Sequence, residues 1–268
     1  MEDELLTAAL PEERRLLIAA LLRRDARVRV EDLARQFGVS GETVRRDLQV
    51  LAERGMARRV YGGAVAADPA GWRSPLAERQ VAMLDPKRAI AALAVSLVEP
   101  SDTVVIDSGS TAAEVARALP PSFAGRVLCA SLPAAAELAA RGGIEVHIAG
   151  GQLRSGPLSV AGPAALRFFE DYFADRAFLA AGGVDPRAGV TDGHLPENSV
   201  RQAIIRQARE CYVLADHSKL GTVAAGRICP LSDVAGIITD SGADPATVRE
   251  CELAGATVMI APPVTSVE

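Results

Sequence analysis

The chain has 268 residues, of which 49% are hydrophobic and 24% charged; that excludes wholesale disorder and allows one large domain, or a small one plus a large one. Its net charge of −5 hides an asymmetry: residues 11–65 carry 12 Arg against 8 acids, whereas residues 66–268 carry 17 Lys and Arg against 23 acids. A modest basic surplus in an otherwise acidic protein marks where a nucleic-acid contact would lie, without proving one.

The first residues, MEDELL, are acidic, and no apolar signal region follows. The longest quiet apolar run, 89–98, is far short of the roughly 20 residues a membrane helix needs. The expectation is a cytoplasmic protein with no membrane partner. Residues 11–24 have helical composition, with Leu17, Ala20 and Leu21 on one side. Leu33, Ala34 and Phe37 form a second short helical pattern that Gly38 stops. Ser40 is placed to cap the next helix. Helix, tight turn and capped helix in quick succession are the helix-turn-helix layout.

On a wheel with Glu42 at zero, Val44, Leu48 and Leu51 fall at about 200°, 240° and 180°, while Glu42, Arg45, Arg46 and Gln49 fall between about −60° and +40°. Thr43 flanks them at about 100°. The apolar stripe suits packing on two preceding helices. The opposite side offers groups that read base edges in the major groove: Arg binds guanine O6 and N7, and Gln binds adenine N6 and N7. Two arginines on a solvated face would mean little alone; here turn, cap and stripe agree. Residues 56–65, MARRVYGGAV, then read as strand, turn centred on Gly62-Gly63, and strand. Such a wing would hold Arg58, Arg59 and Tyr61 at the phosphate backbone or the minor groove.

These forty or so positions, in particular FGVSGETVRRDL followed by RRVYGGA, resemble the winged helix-turn-helix of the DeoR family of bacterial transcription regulators. The resemblance implies an operator-binding module on double-stranded DNA, with Ser40, Thr43, Arg45 and Arg46 on the DNA-facing helix.

Residues 67–85 read as a linker leading to a short helix, and Asp85-Pro86 as the N-cap and first residue of a firmer one. Apolar runs then recur at 103–107, 127–131, 145–149, 177–181, 211–215, 235–239 and 257–261, with helical patterns such as 111–119 and 133–140 between them. Unbroken runs separated by helices indicate a mostly parallel sheet covered on both faces. The expected fold is therefore α/β: a winged helix-turn-helix over 1–66, a linker over 67–85 and a larger, mostly parallel α/β domain over 86–268. In such sheets ligands bind at the C-terminal strand ends. Three loops there carry polar groups. DSGST, Asp107 to Thr111, would aim backbone N–H groups and hydroxyls at an anion. AGGQLRSG brings Arg154, and ADHSKLG brings Lys219, one of two lysines in the chain with Lys87.

The stretches DSGST, AFLAAGGV and ADHSK resemble the effector domain of the same family over about 86–262. That domain is related to ribose-phosphate isomerase and glucosamine-phosphate deaminase folds, and it commonly senses a phosphorylated sugar or related metabolite. The resemblance implies Asp107, Ser108, Gly109, Ser110, Thr111, Asp216 and Lys219 as effector contacts, with Asp192 and Glu197 as further candidates. Three positions depart from the family pattern: Ala130 stands for Asn, Arg201-Gln202 for Lys-Arg, and Ala180 for Gly.

The expected function is a DNA-binding regulator, a repressor of carbohydrate-metabolism genes controlled by a phosphorylated metabolite and acting as a homo-oligomer. The alternatives are a retained sugar-phosphate isomerase or deaminase, for which Asp107, Asp192, Asp216 and His217 offer bases, and a constitutive DNA binder with a degenerate pocket. Four isolated cysteines, histidines without i, i+4 spacing, and the absence of phosphate-loop and dinucleotide fingerprints lead to the expectation of reduced thiols, no metal and no cofactor.

Overall fold

The computed structural model describes residues 11–25, 27–53, 57–60, 62–66 and 80–264. They fall into two compact units, within 1–72 and within 73–268.

The first unit contains α1 (Pro11–Asp25), β1 (Arg27–Arg29), α2 (Val30–Phe37), α3 (Gly41–Glu53), β2 (Ala57–Val60) and β3 (Gly63–Ala66). Gly38 takes a left-handed φ of 63° and ends α2. Val44, Leu48 and Leu51 of α3 are buried on Ile18, Leu22, Leu33 and Phe37. Each contributes about 1.5–3 kcal/mol. On α1 the buried face is Ile18, Ala19 and Leu22, while Leu17 is exposed. The run LLIAALL is apolar all round, so its periodicity could not choose a face. The wing also differs from expectation. Val60 pairs with Gly63, which puts Gly63 inside β3 and leaves only Gly62 of the Gly pair in the turn. A Cβ on Gly63 would lie 2.0 Å from the Val28 carbonyl oxygen, because β1 packs on β3 as a third strand.

The second unit is built on seven parallel strands: β4 (Thr103–Ile106), β5 (Arg126–Cys129), β6 (Glu145–Ile148), β9 (Ala174–Ala180), β12 (Ala208–Leu214), β14 (Gly236–Asp240) and β15 (Val258–Ala261). Their order is β15-β14-β12-β9-β4-β5-β6. Successive residues point to opposite faces. Val105, Ala177, Leu179, Val213 and Ile237 meet α7 (Pro163–Glu170), α8 (Leu195–Gln207) and α9 (Pro245–Leu253). Val104, Ile106, Phe178, Leu214 and Ile238 meet α4 (Leu84–Val95), α5 (Ser110–Ala118) and α6 (Leu132–Arg141). Both faces are therefore covered, which explains the unbroken apolar runs. Edge strand β6 is the exception, with all four residues at least partly exposed. α4 starts one residue before the expected cap: Met83, at φ 55°, precedes it and Asp85 lies inside the first turn. From β4 the chain runs outward through β5 and β6, and from β9 it runs the other way, so the order reverses between β4 and β9. That junction is where open α/β sheets leave a crevice. Two short sheets complete the unit: the hairpin β7 (Gln152–Arg154) and β8 (Ser159–Ala161), and β10 (Gly183–Asp185), β11 (Gly189–Asp192) and β13 (Gly226–Cys229).

Candidate nucleic-acid interface and candidate effector site

In the first unit, the Ser40 hydroxyl accepts the backbone N–H of Thr43 at 3.1 Å and lies 2.9 Å from the Thr43 hydroxyl, closing the first turn of α3. The helix then presents Glu42, Arg45 and Arg46 to solvent. Arg45 Nη1 donates to Glu42 Oε2 at 3.2 Å, with both side chains more than half exposed. Arg46 makes no hydrogen bond or ion pair to another described residue. From the wing, Arg59 Nη1 donates to Gln49 Oε1, tying β2 to α3. Arg45 and Arg59 line a cleft of about 410 Å³ between α3 and the wing, together with Val30, Gly62 and Gly63. Tyr61 and the side chain of Arg58 lie outside the described residues.

Sequence reasoning missed Asp47. It is 2% exposed and receives Arg14 Nε at 2.7 Å and Arg15 Nε at 2.9 Å, so α1 clamps α3 from behind. The available signal was its wheel position of about 140°, which is on the apolar side.

In the second unit, all loops after β4, β9, β12 and β14 leave from one edge because the strands are parallel. β4 ends in DSGST. Gly109, at φ 118°, turns the chain into α5, and a Cβ there would lie 3.2 Å from the Ala180 side chain. Ser108, Ser110 and Thr111 are buried around this helix start. Asp107 is buried too, and its carboxylate is already engaged. Oδ2 accepts the Ala180 N–H at 3.1 Å and Arg201 Nε at 2.7 Å.

Arg201, inaccessible to solvent, draws the distant carboxylates together. Its guanidinium lies 3.4 Å from Asp192 Oδ2 and 3.4 Å from Glu197 Oε2, and Nη1 reaches Asn198 Oδ1 at 3.4 Å. Glu197 Oε1 also receives Arg154 Nη1 at 3.0 Å and the Ser159 hydroxyl at 2.6 Å. Burial would raise Glu197, but Arg201, Ser159 and Arg154 outweigh it and hold the acid at about 2. Burial would lower Arg201, but Asp107 and Glu197 push it above its ordinary value. Arg154 thus sits on Glu197, and Asp107 and Asp192 share one arginine. Arg201, read in the sequence only as a family departure, is the hub.

Asp216 and Lys219 lie one strand beyond β9, after β12. Asp216 caps a single turn (His217–Lys219) by accepting the Ser218 N–H at 3.1 Å. The next residues tie this turn to the Arg201 cluster. Leu220 bridges Val184 of β10, β10 pairs with β11, and Thr191 Oγ1 of β11 accepts the Ala224 N–H at 2.9 Å beside Asp192. DSGST and the buried Arg201 cluster thus lie at the ends of β4 and β9, with the Lys219 turn one strand away at the end of β12.

No helix among the described residues is long and apolar enough to cross a membrane. Residues 14–70 match the family model described as a DeoR-like helix-turn-helix domain, and residues 83–241 match the DeoR C terminal sensor domain. A Bacillus subtilis protein named as the uncharacterized HTH-type transcriptional regulator YulB is 34% identical over 90% of this chain and 93% of its own length. The HTH-type transcriptional regulator GlpR of Haloferax volcanii is 33% identical over 93% and 98%. The transcriptional repressor AccR of Agrobacterium fabrum is 33% identical over 86% and 90%. Among solved structures, a ribose 5-phosphate isomerase A from Methanocaldococcus jannaschii overlaps 52% of this chain and 55% of its own, at 22% identity and a TM-score of 0.39. With one family model spanning more than half of the chain and relatives a third identical along most of it, this chain belongs to the DeoR family of DNA-binding transcriptional regulators.

Proposed function

We propose that the protein is a cytoplasmic repressor of carbohydrate-metabolism genes whose hold on its operator is controlled by a phosphorylated sugar. The observation that carries the DNA half is α3, an amphipathic helix clamped from behind by Arg14 and Arg15 and presenting Arg45 and Arg46 outward. Arg45 and Gln49 read base edges from the major groove, while Arg46, Arg59, Ser40 and Thr43 serve register and phosphate contact. Glu42 accepts from a cytosine amino group or orients Arg45. Arg58 and Tyr61 of the wing complete the contact. A homo-oligomer formed through the sensor domain places two copies of α3 in major grooves about 34 Å apart.

The metabolite sits at the strand ends, with its phosphoryl group at the start of α5, among Ser108, Gly109, Ser110 and Thr111. Arg154, Asp107, Asp192, Asp216 and Lys219 frame the rest. It changes DNA affinity only by binding one arrangement of the two units better than the other. Sensing is favoured over catalysis because the carboxylates available as bases are already engaged: Asp107 and Asp192 face Arg201, and Asp216 accepts from Ser218.

The test is to select an operator from random duplex DNA and add a panel of triose, pentose and hexose phosphates. One member should release the DNA, and Lys219→Ala should abolish that release. If no member alters retention, the effector half fails; turnover of a sugar phosphate would install the isomerase alternative.

A further inference from the structure

His217 was not among the residues expected to meet the effector, yet its surroundings are built around its ring. Its backbone N–H donates to Asp240 Oδ1 at 2.7 Å, and its Nδ1 lies 2.7 Å from Asp240 Oδ2. Asp240 ends β14, is 4% exposed and also accepts the Gly242 N–H at 3.0 Å. Burial would raise this acid, but the bonds from His217 and Gly242 prevail and hold it below the usual carboxylate range. A carboxylate only accepts, so the proton of this contact resides on Nδ1.

Gly242 is the second observation. Its φ lies outside the left-handed region, so the backbone does not require glycine there. The ring does: a Cβ at this position would stand 2.6 Å from His217 Nδ1 and 3.0 Å from Cε1. The loop after β14 thus omits a side chain where the imidazole lies. One ring edge is seated on Asp240 and Gly242, yet the side chain is 35% exposed and Nε2 has no hydrogen-bond partner among the described residues. Two residues on, the Lys219 ammonium makes no ion pair or hydrogen bond among them either. Asp216, next to His217, is occupied by Ser218.

We infer that His217 is a ligand-binding residue of the sensor domain, held by Asp240 so that Nε2 and the Lys219 ammonium grip an anionic oxygen group of the effector from the β12–β14 side. The inference rests on the reading that the strand ends take a phosphorylated metabolite. His217 sits in the same turn after β12 as Lys219 and leans on Asp240 at the end of β14, the next strand outward. With neighbouring strands about 4.8 Å apart, β12, which His217 follows, is roughly 10 Å from β4. A small phosphate at DSGST alone would not reach His217. The ligand class implied is a sugar carrying charged or strongly polar groups at both ends, such as a bisphosphate or a phosphorylated sugar acid.

The chain holds three histidines, so its imidazole 15N spectrum is simple to assign. The full-length protein is titrated with hexose and pentose monophosphates, the matching bisphosphates and phosphorylated sugar acids, and inorganic phosphate, with binding followed by calorimetry. The expected result is a two-ended probe that binds tightest and moves the His217 Nε2 resonance. His217→Gln should weaken that probe about tenfold or more, the effect of losing a charge-assisted hydrogen bond. Gly242→Ala, which keeps the imidazole but displaces it, should weaken the same probe in the same direction. Circular dichroism and melting of both free variants check the fold. Binding by His217→Gln within twofold of wild type would overturn the inference and leave the effector reading standing. If wild-type protein binds none of the phosphorylated probes, both fall.

Discussion

Two groups of arginines divide this molecule. Arg45, Arg46 and Arg59 stand exposed on the reading head, held by single contacts with Glu42 and Gln49 or by none among the described residues. Arg201 has no accessible surface and is enclosed by Asp107, Asp192 and Glu197. An exposed ion pair is worth about 0–1 kcal/mol, so the head's guanidinium groups can leave their partners for a phosphate or a base at little loss. A buried charge is expensive unless paired, so Arg201 belongs to the framework of its site. The same residue type thus faces outward on α3 and the wing of the helix-turn-helix unit and inward where it organises acids in the sensor domain.

The contrast is sharpest in the largest predicted effect. Arg201→Met should cost about 3–5 kcal/mol in urea unfolding at pH 7, because three buried carboxylates lose their shared cation. The pH dependence has a definite sign. Glu197 is depressed from 4.5 to about 2 in the folded protein, so its contribution is complete above about pH 4.5 and is lost as the pH falls toward 2. The deficit of the variant should therefore shrink over that window. An equal deficit at pH 2 and pH 7 would show that the cluster does not act through charge.

Next comes Asp47→Asn, the one buried acid among the head's described residues, which should cost about 2–3 kcal/mol in thermal melting and loosen operator binding by unseating α3. Arg45→Ala should lose about 1–3 kcal/mol of discrimination at one operator position while leaving stability unchanged. Equal weakening on operator and random duplexes would make it a phosphate contact instead. The smallest effect is Glu42→Gln, within about 0.5 kcal/mol in stability, since its pair with Arg45 is exposed. A larger loss would mean that the head depends on its exposed ion pairs as well as on the buried one at Asp47.

The same contrast explains what could be read in advance. The seven strands were legible because each interior strand is buried on both faces and leaves an unbroken apolar run. α2 and α3 were legible because Gly38 and Ser40 mark their ends and Val44, Leu48 and Leu51 share a face. β10, β11 and β13 were not, since they are three or four residues long and β11 pairs with β13 across more than thirty positions. Charged residues were hardest. Asp47 and Arg201 look solvated in the sequence because key partners, Arg14 and Arg15 for Asp47 and Asp107 for Arg201, are 32 to 94 residues away. Only local spacing hinted at them: Asp47 on the apolar arc of its wheel, and Glu197 one helical turn before Arg201. Asp85 failed as a cap because α4 begins earlier, after a left-handed Met83.

The most direct test is fluorescence anisotropy of wild-type protein and an Arg45→Ala, Arg46→Ala double variant on a duplex selected by the wild type and on a scrambled duplex, across a salt series. The exposed face of α3 predicts a wild-type preference for the selected site of about a thousandfold or more, with affinity falling steeply as salt rises. In the double variant that preference should nearly vanish. Wild-type protein that holds no duplex at low salt, or a double variant that keeps its full preference, would contradict the account.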